Sequence, residues 1–231
     1  MKQIYFIFSV FAAIAFSACS DYQDMKDGDR YDFLQSYIPV YASSDGFTAI
    51  RSTSGNALRI HIVWGGERED CIKHYLPVDT PNYDYPENDY MKYATRNNDL
   101  KYNEIELYKS YLHRTACSDN FKAIHVIAAD DWDEKHPAGT LLDELFSLKA
   151  VSYAPFIREE YKGEKQTKID KLLPDLTAED LSMLNVEMEF FAKSLPADKQ
   201  KIHELTFTFV TDEGVEKPTT IRYSWADGVI E

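Results

Sequence analysis

Alternation of apolar and polar side chains organises most of this chain. Leu58, Ile60, Ile62 and Trp64 alternate with Arg59, His61 and Val63, and Gly65-Gly66 ends the run. Ile124, Val126 and Ala128 alternate around His125 and Ile127. Val186, Met188, Phe190 and Ala192 alternate with Glu187, Glu189 and Lys193. Leu205, Phe207 and Phe209 alternate with Thr206 and Thr208; a turn at Asp212-Glu213-Gly214 leads into Ile221, Tyr223 and Trp225. A period of two with β-branched and aromatic residues predicts half-buried strands. The last two runs predict a hairpin. Tyr37 to Tyr41, Ile105 to Leu112 and Phe146 to Tyr153 add further strands, about eight in all, as in a sandwich. The fold class expected is mainly β: an antiparallel β-sandwich with one or two short helices, Ig-like at most loosely. The Cys…Trp…Cys order of true immunoglobulin domains is missing, because no Trp lies between Cys71 and Cys117.

Helical signals are few. Thr177-Ala178-Glu179-Asp180 before Leu181, Met183 and Leu184 resembles a capping box with Asp for Glu, and predicts a helix of two turns. Lys168 to Leu173 predicts another turn, stopped by Pro174, and Leu141 to Phe146 a turn leading into a strand. Neither internal repeats nor heptads occur, so residues 36–231 are read as a single domain.

The start of the chain breaks the alternating pattern. Met1-Lys2-Gln3 is a cationic tip, Ile4 to Ala15 an apolar run, and small residues precede Cys19. This is the layout of an export signal. The apolar run ends by Ala18, short of the roughly 20 residues a spanning helix needs. Ser17, Ala18 and Cys19 match the lipobox of bacterial lipoproteins, which the segment resembles; Phe16 departs from it, since Leu is usual there. The resemblance implies cleavage of residues 1–18 and acylation of Cys19. Residues 19–35 then form a tether carrying Asp21, Asp24, Asp27 and Asp29, too polar to bury a core. Ser20-Asp21 with further acid also resembles the surface-export signal of Bacteroidetes lipoproteins. That implies an outer-membrane anchor, with the chain at the cell surface or facing the periplasm. Loss of Lys2 takes the formal charge from −14 to −15. Such an acidic chain repels nucleic-acid phosphates, which excludes them as partners.

An exported chain lies in an oxidising compartment. With Cys19 acylated, Cys71 and Cys117 remain as a pair, and a disulfide between them is expected.

Familiar catalytic motifs are missing. No H-E-x-x-H, G-x-S-x-G or G-x-x-x-x-G-K occurs. His61 and His125 sit inside predicted strands, where a structural role is the simpler reading. Two polar clusters stand out. The first runs from Asp130 to Thr140 and holds Asp130, Asp131 and Asp133, candidate ligands for calcium, a cation that takes six to eight oxygens. Ala129 to Phe146, which includes this cluster, resembles a segment of Bacteroidetes-type lipoproteins; the resemblance implies a family and no particular reaction. The second is Tyr75 to Tyr111, with eight tyrosines among acids and amides. Pro77, Pro81 and Pro86 break any strand through its first part. Long loops of this kind often carry function. Tyrosine pairs a flat apolar face with a hydroxyl, suited to sugar rings or protein partners. Tyr83, Tyr85 and Tyr90 are therefore the expected ligand-binding residues, with at least two of them exposed and near one another.

The function expected is non-enzymatic: a lipid-anchored envelope protein that binds a glycan or a protein. A hydrolase of polymers using carboxylates the sequence does not single out, and a pilus-type structural subunit, are the alternatives.

Fatty-acid analogue labelling of cells expressing the chain should mark the wild type and leave Cys19→Ala unlabelled. Equal incorporation in both would remove the anchor.

Overall fold

A computed structural model of the chain describes residues 31–42, 44, 47–51, 57–62, 71–73, 87–111, 113–226 and 228–230. Cys19, Tyr83 and Tyr85 lie outside the described residues, as does the start of the tyrosine-rich segment.

Two sheets face each other across the larger core. One is antiparallel and five-stranded. It is built from β3 (Phe47–Arg51), β4 (Ala57–Ile62), β9 (Phe146–Ser152), β10 (Thr167–Leu172) and β11 (Glu187–Ala192), in the order β10-β9-β11-β4-β3. The other holds β8 (Phe121–Ala128), β12 (His203–Thr211), β13 (Glu216–Ser224) and β14 (Gly228–Ile230), in the order β14-β13-β12-β8. The inward rows are those the alternation predicts. In β12, Leu205, Phe207 and Phe209 are fully buried, while Thr206 and Thr208 between them are not. In β11, Met188 and Phe190 point inward, and Phe190 stands opposite Leu58 of β4 and Leu148 of β9. Phe190 and Phe207 meet edge to face at 4.9 Å across the gap, a geometry that adds to their area burial. The fold is mainly β and sandwich-like. The predicted hairpin joins β12 to β13 through Gly214, at φ +87°, a conformation glycine adopts without steric cost.

Beside the sandwich is a second, aromatic core. It gathers Tyr37, Tyr41, Tyr90, Tyr102, Tyr111, Tyr153, Phe156 and Met183, with Leu34 and Ile38. Two small sheets frame it: β1 (Tyr31–Leu34) with β6 (Glu104–Leu107), and β2 (Val40–Ala42) between β5 (Cys71–Lys73) and β7 (Thr115–Cys117). Three helices complete the described elements: α1 (Glu87–Arg96), α2 (Tyr108–Tyr111) and α3 (Ala154–Arg158). Strands β2 and β7 are buried on both faces. Tyr41 and Ala116 enter the aromatic core, whereas their neighbours Ala42 and Cys117 enter the sandwich core.

Several expectations change. Thr177 and Asp180 do make the reciprocal capping contacts, Asp180 N to Thr177 Oγ1 at 3.2 Å and Thr177 N to Asp180 Oδ2 at 2.9 Å. No helix propagates from them, because Met183 turns to φ +46° and carries the chain into the core. Lys168 to Leu172 is strand, with Ile169 inward between exposed Lys168 and Asp170; a 3-10 turn follows at Leu173–Asp175. Leu141 to Phe146 does contain the expected turn, at Asp143–Leu145. The strand expected over Ile105 to Leu112 stops at Leu107 and becomes α2. Part of the tyrosine-rich segment is not loop but helix α1.

The disulfide is not formed. Cys117 is a free, buried thiol. In register, Ala42 of β2 stands opposite Cys71 on one side and Cys117 on the other. Two interstrand spacings, about 9.5 Å, separate the cysteine backbones, and a disulfide spans at most about 7 Å between Cα atoms. Burial also pushes the Cys117 thiol well above its ordinary pKa. Cys117 should thus resist a thiol reagent in the folded protein and react after unfolding in guanidinium, read by intact mass without reductant. A disulfide-linked mass would contradict the strand order.

Candidate functional site

The aromatic core opens to solvent in a cleft of about 950 Å³, within the range of ligand sites. Strand β6, the turn of α2 and the connection from α3 to β10 form its walls. Tyr37, Tyr102, Phe156 and Tyr161 line the apolar side, and Glu106, Arg114 and Lys165 the polar side.

Its polar side grows from a strand-pairing problem. In the β1–β6 ladder Asp32 stands directly opposite Glu106, and like charges opposed across strands repel. Each carboxylate has its own answer. The Tyr111 hydroxyl donates to Asp32 Oδ2. Arg114 grips Glu106 with both fork nitrogens, Nη1 to Oε1 at 3.1 Å and Nη2 to Oε2 at 2.9 Å. The Tyr102 hydroxyl donates to Oε1, and Ser110 Oγ donates to Oε2 at 3.2 Å. Arg114 lies with its guanidinium carbon 4.2 Å from the centre of the Tyr37 ring, a cation–π contact. Its side chain is 5 % exposed, and its Nε–H finds no hydrogen-bond acceptor among the described residues. Lys165 approaches Glu106 Oε1 at 3.5 Å and the Tyr102 hydroxyl at 3.4 Å, and is 60 % exposed.

These contacts set the titration of the site. Burial acts to raise the Glu106 pKa, but the Tyr102 hydroxyl, Arg114 and Lys165 together outweigh it and hold the group below the ordinary carboxylate value. Burial, with the Glu106 carboxylate alongside, pushes Tyr102 up to about 12. Behind the wall, Asp99 accepts the backbone N–H groups of Tyr37 and Ile38 at 2.8 and 2.9 Å, and the Tyr161 hydroxyl at 3.2 Å. Its burial raises it to about 7 against these donors.

Backbone strain gathers here. Glu160 and Tyr161 are consecutive left-handed residues, at φ +55° and +62°, and Asn103 is a third at +51°. Asn tolerates this region, but a glutamate and a tyrosine in succession cost of order 1–3 kcal/mol each. The conformation places the Tyr161 ring 5.2 Å from Tyr102 and 5.8 Å from Phe156, with its hydroxyl accepting the Lys101 N–H at 3.1 Å. Strain of this kind clusters at functional sites.

Of the residues singled out from the sequence, those that are described lie away from this cleft. Tyr90 is 3 % exposed and donates to the Ile38 carbonyl at 2.8 Å, so it is core and not a ligand contact. Its apolar partners on the helix, Ala94 and Tyr93, face the same way at helical spacing. Asp130, Asp131 and Asp133 do not converge on a cation. Asp130 pairs with Lys201 at 3.0 Å. Asp131 accepts the Ala138 N–H, and Asp133 those of Lys135 and His136 together with the His136 ring. Among the described residues no three or more His, Cys, Asp and Glu side chains group as a metal set. That loop is fastened by fully buried Trp132, packed on Trp225 at 4.9 Å. His125 bonds Asp143 at 2.7 Å beside the Val126 N–H that the same carboxylate accepts.

Sequence reading did not find Glu106, Arg114, Lys165 or Tyr161 as a group. The one local trace is the i, i+4 spacing of Tyr102, Glu106 and Ser110; Lys165 lies far along the chain from all three. No protein-family model matches the chain, and no curated protein or solved structure matches it either.

Arg114→Met should destabilise the protein by about 3 kcal/mol in urea unfolding, since it strands a largely buried carboxylate. Glu106 is depressed in the folded state, so its contribution is present above the unfolded value and lost as pH falls through the folded one. Glu106→Gln should therefore flatten the acid limb of stability against pH below about 4.3, the unfolded value. An unchanged acid limb would show that Arg114 does not hold Glu106 ionised.

Proposed function

We propose that this is a lipid-anchored protein of the cell envelope, displayed at the surface, that binds a glycan in the cleft and does not cleave it. The anchor rests on the Ser17-Ala18-Cys19 motif and the acidic tether. The single observation supporting glycan binding is the composition of the cleft: Tyr161, Tyr102 and Ile105 offer apolar surface next to a fixed array of hydroxyl, carboxylate and cationic groups. Sugars present an apolar ring face and a rim of hydroxyls, and such a wall matches both. The partly exposed Tyr161 ring and Ile105, 51 % exposed, are the surfaces available for that face.

Catalysis fits less well. A glycosidase needs one carboxyl group that holds a proton near neutral pH beside another that is ionised. Glu106 is bonded on both oxygens and kept ionised. Glu104 and Glu160 stand exposed on the rim, and Glu160 pairs with Lys162 at 3.3 Å. An acid catalyst of this kind works from an apolar pocket, not from solvent.

Titration of the purified protein against a panel of neutral and acidic oligosaccharides should find ligands that stay intact on prolonged incubation. Tyr161→Ala should weaken their binding about tenfold, equivalent to about 1.4 kcal/mol. Shortened products would overturn the non-catalytic reading. Absence of binding across the panel, or full affinity in Tyr161→Ala, would remove the cleft as a glycan site.

A further inference from the structure

Charge at the cleft mouth is distributed unlike the rest of the molecule. The chain carries a formal charge of −14, yet the cleft lining holds Lys101, Arg114 and Lys165 against Glu104, Glu106 and Glu160. Pairing sharpens the difference. Glu106 is neutralised by Arg114 through a bidentate contact, and Glu160 by Lys162. Lys165 shares Glu106 with Arg114. Its ammonium reaches Glu106 at 3.5 Å and the Tyr102 hydroxyl at 3.4 Å, longer than the 2.7–2.9 Å usual for charge-assisted bonds, on an oxygen that Arg114 and Tyr102 already occupy. Lys101 is exposed and forms no side-chain ion pair among the described residues. Glu104 and Glu160 share the mouth with these two lysines, so the lining is balanced where the chain as a whole is strongly acidic.

Position matters as much as number. Lys101 lies at Tyr161, whose hydroxyl accepts its backbone N–H. Lys165 lies at Tyr102, whose ring centre is 5.2 Å from that of Tyr161. The backbone of Lys165 is pinned too, since its carbonyl accepts the Tyr37 hydroxyl at 3.1 Å. Lys165 thus carries its ammonium beside the aromatic wall on a backbone fixed to the core, and the backbone of Lys101 is fastened to the same wall. Elsewhere an acidic surface repels an anion, so a ligand carrying carboxylates is steered to this mouth.

We infer that the cleft selects an acidic glycan, a chain of uronic-acid sugars whose ring face packs on Tyr161 while a carboxylate is received by Lys165 and Lys101. The inference deepens the glycan-binding reading and rests on it. Neither lysine belongs to the sandwich core, and Arg114 remains the partner of Glu106 throughout.

The test uses calorimetry of the purified protein with oligouronides of four to six sugars. A galacturonate, a mannuronate and a glucuronate-containing series are each compared with their methyl esters, which keep the ring and remove the charge. At least one free acid should bind ten times more tightly than its ester, and raising salt from 50 to 500 mM should erase most of that difference. Lys101→Gln/Lys165→Gln should bring the acid to the affinity of the ester. Should the double variant fail to fold, the acid–ester comparison on the native chain decides alone. Acid and ester binding alike, or neutral oligosaccharides binding where all uronides fail, would overturn charge selection and leave glycan binding standing. A lack of binding to uronides, esters and neutral sugars together would bring down both.

Discussion

Strands β2 and β7 are buried on both faces, and the two cores depend on that. A strand sends successive side chains to opposite sides, so one residue step in β7 separates Ala116 in the aromatic core from Cys117 in the sandwich core. The same step separates Tyr41 from Ala42 in β2. A slip of one residue would exchange the two sets and place a tyrosine where the sandwich admits only a small side chain. Hydrogen bonds fix the register from outside as well: Cys117 N–H donates to the Leu184 carbonyl at 2.7 Å, and Ser118 N–H to that of Ala42 at 2.8 Å. The arrangement also explains why Cys71 and Cys117 stay apart. They flank the wall strand instead of facing one another.

The cleft follows from this partition. An aromatic core walled on one side by β2 and β7 must be closed on the other by the β1–β6 ladder, and that ladder opposes Asp32 to Glu106. Resolving two like charges near a buried interior requires a cation with fixed geometry. Arg114 supplies it, with a planar fork for the carboxylate and a flat face for Tyr37. A cleft lined by a satisfied ion pair has a rigid floor. The exposed charges at its rim are Lys101, Lys165, Glu104 and Glu160. The left-handed pair Glu160–Tyr161 serves the same wall: its strain is offset by the Tyr161 hydroxyl bonds to Asp99 and Lys101.

Legibility from sequence was uneven for physical reasons. Strands of the sandwich read well because each has one core face, so period two survives in the residues: Leu205, Phe207 and Phe209 against Thr206 and Thr208. β2 and β7 are buried on both sides and show no such alternation. Tyr90 is instructive. Its neighbourhood of prolines, acids and tyrosines suggested an exposed binding loop, but the tyrosines of α1 supply a core that aliphatic residues supply elsewhere. A tyrosine can be buried whenever its hydroxyl finds a partner, and the Ile38 carbonyl provides one. The Asp130–Asp133 cluster is ambiguous in one dimension, because carboxylates that bond their own turn, as Asp131 and Asp133 do, look like ligands for a cation.

Local chemistry in the sequence determined the mainly β class, the inward rows of the sandwich and the β12–β13 hairpin. Each depends on neighbours a few positions apart, whose side-chain periods or turn preferences are written directly in the chain. Tertiary structure alone decided the rest. It brought Glu106 to Arg114 and Lys165, set β2 between the cysteines and turned Tyr161 toward Asp99. These are contacts between residues far apart in sequence, fixed by which faces the strands bury and in which order they pair, and no short-range pattern encodes that order.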